Sequence, residues 1–302
     1  MSAPRFRPLR GLRILSLGLN LPAPVALQAC RALGAQARKV EPPAGDPVAA
    51  LAPALYQALH EGVKVVRLDL KQDAGQAALQ RELARCDLLL SSFRPSALQR
   101  LGLGWRARLR QHPQLWQVAI VGGCGARAEE AGHDLTYQAE EGLLPPAGLP
   151  STLLADMGGA EQAVQAVLQA ALGRAQGAKP RRLEVGLADA ARALAAPLRW
   201  GLTAPGGLLG GAHALYQVLP CRDGRVALAA LEPHFAQRLA ELLSLPPAPP
   251  AAWLRPERHQ AVAAWCLGKT RAELRALAQR LDLPLVVCPD AQEARRGDPR
   301  AP

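Results

Sequence analysis

Gly11-Leu12-Arg13-Ile14-Leu15-Ser16-Leu17 leads into Pro24-Val25-Ala26-Leu27-Gln28-Ala29-Cys30-Arg31-Ala32-Leu33-Gly34, and that into Ala37-Arg38-Lys39-Val40-Glu41. The first run is short and apolar, which suits a strand covered on both faces. The second has helical length and stops at a glycine, the residue that best tolerates the left-handed turn beyond a helix end. The third reads as a strand that halts at Pro42-Pro43. Strand, helix and strand with short links make a βαβ unit, the building block of a parallel sheet.

Working outward, the pattern repeats. Residues 63–68, 87–91, 115–121 and 183–187 read as strands, and residues 76–84 and 96–101 as helices between them. A long alanine-rich helix is expected after Gly158, to about Leu172, and another from Ala188 toward Arg199. This alternation predicts an α/β fold with a doubly wound, Rossmann-like parallel sheet, and such sheets bind ligands at the carboxyl ends of their strands. The glycine-rich residues 206–211 mark a candidate boundary. Beyond it, residues 215–219 and 225–230 flank Cys221-Arg222-Asp223-Gly224, where Asp-Gly signals a hairpin. The expected organisation is a large ligand-binding domain over 1–205, a second, smaller α/β domain over 206–290, and a polar, frayed tail over 291–302.

Composition narrows the function. The 302 residues are 49% hydrophobic and 20% charged, values of a folded globular chain. The net charge of +11 asks for an anionic partner, yet only 4% of residues are aromatic and the basic residues are scattered. That argues against nucleic acid and for a phosphate-bearing small molecule, or for no specific partner if the arginine and alanine enrichment is compositional drift. The six cysteines lie far apart without ligand spacing, so neither a metal site nor a disulfide scaffold is expected. Arg5, Arg7, Arg10 and Arg13 precede an apolar run that contains Gly18 and Asn20 and reads as a strand rather than a leader. No stretch approaches the ~20 apolar residues of a membrane span. A cytoplasmic protein with no membrane partner is expected.

Three segments carry candidate chemistry. Gly132-His133-Asp134 offers an imidazole, and Ala155-Asp156-Met157-Gly158-Gly159 a carboxylate that also reads as a helix N-cap. An imidazole and a carboxylate facing one carbon from two sides are what proton transfer next to a carbonyl requires. Glu232, in Leu231-Glu232-Pro233-His234-Phe235, could accept a hydrogen bond from the imidazole and fix its tautomer. Asp134 could orient the imidazole locally. The N–H groups at Gly158-Gly159 could receive a developing oxyanion. A thioester, whose α-proton is comparatively acidic, suits this set. Leu68-Asp69-Leu70-Lys71 and Ser92-Phe93-Arg94-Pro95 follow predicted strands, where a ligand's phosphates would sit. There is no GxGxxG or phosphate-loop motif and no serine nucleophile elbow.

The chain resembles the family III CoA-transferase superfamily of CaiB/BaiF type, closest to its α-methylacyl-CoA racemases. The likeness spans nearly the whole sequence. It is carried by residues 11–15, by residues 34–47 with their Val40-Glu41-Pro42-Pro43 centre, and by Leu68-Asp69-Leu70-Lys71, Phe93-Arg94-Pro95 and Arg100-Leu101-Gly102-Leu103-Gly104. Asp156 matches the aspartate that is a nucleophile in the transferases and a base in the racemases. Gly132-His133-Asp134 and Leu231-Glu232-Pro233-His234-Phe235 match two racemase segments. The resemblance implies the family III fold and a racemase or epimerase that moves the α-proton of a 2-methyl-branched acyl-CoA, with His133, Asp156 and Glu232 catalytic. It further implies CoA contacts from Lys39, Asp69, Lys71 and Arg94, no cofactor beyond the CoA of the substrate, and an interlocked homodimer. Two alternatives remain: a CoA-transferase with Asp156 as nucleophile, and a shortened, non-catalytic paralogue. The sequence departs from the family at residues 60–67, at Gly122-Gly123-Cys124-Gly125-Ala126-Arg127, and in ending before the tail that packs back on the first domain in typical members.

Overall fold

A computed structural model describes residues 6–290 and Glu293. Contacts divide the chain into Met1–Ala195 and Ala196–Pro302, so the division precedes the expected 205/206 boundary. The glycine-rich stretch behind that expectation is no slack linker. Leu209 N–H donates to the Leu202 carbonyl at 2.9 Å, and Gly206 N–H to that of Gly210 at 3.0 Å. The tail expected to fray lies outside the described residues, Glu293 excepted.

The first unit holds a six-stranded sheet of β1 (Arg13–Ser16), β2 (Gln36–Glu41), β3 (Lys64–Arg67), β4 (Leu88–Ser91), β5 (Trp116–Val121) and β6 (Arg182–Gly186). The order is β3-β2-β1-β4-β5-β6 and every pairing is parallel. The chain therefore winds outward from β1 in one direction and from β4 in the other, leaving a crevice at their carboxyl ends. Between strands run α1 (Pro22–Ala32), α2 (Pro47–Leu51), α3 (Pro53–His60), α4 (Asp73–Leu83), α5 (Pro95–Arg100), α6 (Trp105–Gln111), α7 (Asp134–Glu140) and α8 (Leu154–Ala175). After β6 comes α9 (Leu187–Leu194).

Two buried clusters show why the strands read as unbroken apolar runs. Successive strand side chains point to opposite faces. Ile14, Leu88 and Leu90 meet Ala23, Leu27 and Cys30 of α1 and Ala163, Val167 and Ala170 of α8. Leu15 and Leu89 point the other way, onto Leu79 and Leu83 of α4. Burying each such leucine contributes ~1.5–3 kcal/mol. The alanine stripe of α8 is short enough to let that helix lie close against α1.

The second unit begins with α10 (Ala196–Arg199), so the helix expected from Ala188 to Arg199 is broken in two at Ala195. An antiparallel sheet follows, ordered β7 (Tyr216–Cys221), β8 (Gly224–Ala229), β9 (Leu285–Val287). The hairpin stands where it was expected, with Cys221 paired to Gly224. Helices α11 (Pro233–Leu242), α12 (Pro256–Leu267) and α13 (Arg271–Leu281) complete this unit around Leu239, Trp253, Val262 and Leu274.

Candidate active site

A cavity of about 170 Å³ opens where β1, β4, β5 and β6 end, and Arg94, His133, Tyr137 and Asp156 all line it. Asn20, at the turn between β1 and α1, forms part of its wall with φ of 64°, a left-handed conformation that non-glycine residues rarely adopt. Two residues expected to work together, His133 and Asp156, thus share one chamber at the predicted edge of the sheet.

Asp156 is not the N-cap that its sequence context suggested. It is the third residue of α8, and the residue before that helix, Leu153, offers no side-chain cap. The cap comes from Asp134, which is buried and whose Oδ1 accepts the N–H groups of Ala155 at 2.8 Å and Asp156 at 3.0 Å. Asp134 Oδ2 accepts from Gln138 Nε2 at 2.6 Å. Burial first, and then the charge of Asp134, push the Asp156 carboxyl up to about 6, against an opposing pull from His133.

Gly158 and Gly159 do not form the oxyanion site expected of them. Both lie inside α8, so their N–H groups belong to the helix ladder and offer nothing to an oxyanion. Their role is packing. A Cβ on Gly159 would stand 2.3 Å from Leu187 Cδ2, and one on Gly158 3.0 Å from Leu194 Cδ1. The glycines let α9 approach the helix that carries Asp156.

His133 is the residue before α7, with φ of −139° and ψ of 168°. The Thr136 hydroxyl accepts from His133 N–H at 3.1 Å and donates to its carbonyl at 2.8 Å, which pins the backbone from both sides. The imidazole is therefore presented from a fixed helix start. Tyr137, one turn on, is buried, and burial together with the Asp156 charge pushes its phenol up. A Cβ on Gly132 would meet the Tyr137 ring at 2.5 Å, and one on Gly122 its hydroxyl at 2.7 Å, so both glycines make room for this phenol. Sequence reasoning passed over Tyr137. Its spacing of three from Asp134 puts both on one face of α7, but that helix was not read from the sequence, so no local signal marked the phenol.

A second cavity, of about 460 Å³, lies over the ends of β1, β2 and β3 and is lined by Asp69 and Lys71 among apolar neighbours. It shares Leu19 and Phe93 with the first. Asp69 Oδ1 accepts Lys71 N–H at 3.0 Å, which shapes the loop after β3, and Lys71 itself is exposed.

Lys39 is placed differently from its expected role at CoA. Its side chain is 0% exposed, and its ammonium lies 2.5 Å from Asp46 Oδ2, 3.1 Å from Glu41 Oε1 and 2.9 Å from His60 Nε2. With these three neighbours it has no donor left for a phosphate. Burial first and then the Lys39 charge hold His60 below its ordinary value, so the imidazole stays neutral and accepts from the ammonium. Glu41, Asp46 and His60 have the atom types and spacing to bind a metal ion, but the Lys39 ammonium already stands among them. Glu232 belongs to the second unit, as the exposed residue preceding α11. The first unit by itself brings together Arg94, His133 and Asp156.

With this geometry in hand, comparison with known proteins is informative. The profile of CoA-transferase family III matches residues 9–300. The chain belongs to this family. It is 27% identical over 257 residues to human alpha-methylacyl-CoA racemase, covering 78% of this chain and 65% of the racemase. It is also 27% identical over 270 residues to succinate–glutarate CoA-transferase of Agrobacterium fabrum, covering 80% and 68%. A probable fatty acyl-CoA transferase of Mycobacterium tuberculosis is 30% identical over 208 residues, covering 63% and 53%. The chain thus spans about half to two thirds of the length of these curated relatives. Among solved structures, a Brucella suis CaiB/BaiF family protein superposes with a TM-score of 0.81 at 23% identity, covering 98% of this chain and 87% of that one. The fold is that of family III CoA-transferases. Among the described residues no helix is long and apolar enough to cross a membrane.

Proposed function

We propose that this family III member is an acyl-CoA racemase or epimerase that moves the α-proton of a 2-methyl-branched acyl-CoA. The observation that carries this reading is the shared cavity of His133 and Asp156, with the Asp156 carboxyl raised to about 6. Such a carboxylate is still mostly ionised near neutral pH, yet a better base than an ordinary one. On one face of the thioester α-carbon, Asp156 takes the proton. The electron pair moves into the carbonyl to give an enolate, and His133 returns a proton to the opposite face. Running the two roles in reverse converts the other epimer. The apolar second cavity suits the body of a CoA carrier, with Lys71 and Arg94 toward its phosphates and Asp69 holding the Lys71 loop. Glu232 as the partner of His133, an interlocked homodimer and residence in the cytoplasm complete the proposal; Glu232 rests on its residue type and on the family resemblance, the homodimer on the resemblance alone, and the cytoplasm on the scattered cysteines.

The experiment is α-hydrogen exchange. A 2-methylacyl-CoA incubated with the protein in deuterated water is expected to gain deuterium, and Asp156→Asn or His133→Ala to slow this by roughly 10²–10⁴-fold. No incorporation across several acyl chains would exclude the racemase. The comparable likeness to succinate–glutarate CoA-transferase favours one second reading, nucleophilic attack by Asp156 on the thioester. In that case hydroxylamine would trap an acylated Asp156, which simple proton transfer does not form.

A further inference from the structure

The capping of α8 from outside its own sequence has a chemical side. An Asp at the third position of a helix ordinarily folds back on the first-turn N–H groups, and these together with the helix dipole favour its ionised form. Here Asp134 has taken the N–H groups of Ala155 and of Asp156 itself. The Asp156 side chain is thereby left to the cavity, without the donors that would tame it. For capping alone, a neutral asparagine or serine oxygen at residue 134 would serve as well. A buried aspartate brings a charge as well, held by its two backbone donors and Gln138 Nε2.

We propose that Asp134 is the positioning residue of this site: its carboxylate ties down the first turn of α8 and sets a fixed negative charge beside Asp156, keeping that carboxyl a working base. The proposal rests on reading Asp156 as the base. The other groups around Asp156 are few. His133 and Tyr137 face it from the start of α7, Arg94 lines the chamber from the β4–α5 link, and Glu130 from the loop before α7. Helix α9 meets α8 at Gly158 and Gly159 through Leu187, Ala190 and Leu194, none of which titrates. Asp134 is therefore the nearby negative charge that acts on Asp156 together with its burial, and His133 opposes it.

The test is a carbon-13 NMR titration of the Asp156 carboxyl in protein labelled at its aspartates, with Asp156→Asn assigning the resonance. In the unaltered protein the midpoint is expected near 6. In Asp134→Asn, which keeps an oxygen for both N–H groups and turns the Gln138 amide to meet its Nδ2, the midpoint should fall by about one unit whether or not the unfolding temperature moves. Asp134→Ser gives the same comparison should the asparagine variant fail to fold. A midpoint that stays in place while the unfolding temperature drops would reduce Asp134 to a plain helix cap and overturn the proposal. The titration needs no substrate, so the two readings separate. A shifted midpoint with no deuterium exchange by the unaltered protein would remove the racemase reading and leave only the action of the Asp134 charge on the Asp156 carboxyl.

Discussion

Lys39 and Asp46 meet at 2.5 Å with neither side chain exposed, and Asp46 at the same time accepts Asn20 N–H at 3.2 Å. A buried ion pair thus holds the left-handed turn that walls the cavity of His133 and Asp156. The ammonium also faces Glu41, whose Oε1 accepts from the Tyr56 hydroxyl at 2.9 Å. Replacing Lys39 by methionine would leave two carboxylates in the interior with no cation. The expected loss is about 3–5 kcal/mol, read from urea denaturation. A loss under about 1 kcal/mol would mean that the ammonium does not hold this network together.

Asp156 is expected to weaken the fold that it serves. Its folded value, about 6, lies above the ordinary carboxylate value, so the folded state holds the proton more tightly than the unfolded chain. The stability contributed in this way is present at low pH and is lost as pH rises through about 6. Asp156→Asn should therefore unfold at higher temperature at pH 7, by about 2–3 kcal/mol in stability, with the gain shrinking toward pH 4. Equal stability of the two proteins at both pH values would contradict the raised carboxyl.

The contact between α8 and α9 allows a paired substitution. Gly159→Ala drives a methyl against Leu187 and should cost about 1–3 kcal/mol, because tightly packed interiors tolerate little added volume. Leu187→Ala in the same chain should recover part of that loss. The double-mutant cycle measures the coupling, and simple additivity would show that the two helices do not meet in this way.

Arg108 of α6 is fully buried beside Trp105, with one donor to the Leu115 carbonyl at 2.6 Å and its Nε and Nη2 without partners. Burial pushes it down to about 10. A charge so poorly compensated contributes little, and a methionine of similar reach should fill its place. Arg108→Met is expected to change stability by less than about 1 kcal/mol, since the freed Leu115 carbonyl offsets the removal of two unsatisfied donors. Calorimetry showing a loss above about 3 kcal/mol would reverse this view.

The parallel core was legible in the sequence because strands covered on both faces leave continuous apolar runs, as Leu88-Leu89-Leu90 does. The short helices α2, α3, α6 and α7 escaped, although Asp46 followed by Pro47 carries both a cap and a first-turn proline. The start of α8 was misread for a different reason. Its cap is Asp134, some twenty residues earlier, and no local pattern records a bond made across the fold. Lys39 received its CoA role only from the family resemblance, and the structure instead buries it among Glu41, Asp46 and His60. Its alternation with Glu41 on one face of β2 was the clue to an internal pair. His133 and Asp156 were legible as residue types suited to proton transfer. The chamber that joins them depends on where β5 and β6 fall in the sheet.

Leu19 and Phe93 are partition walls, each with one side toward the chamber of Asp156 and the other toward that of Lys71. Trimming the Phe93 ring would merge two rooms into one hall. On the proposed reading, the grip on a molecule's handle and the aim of its reactive end would then change together at this one doorway.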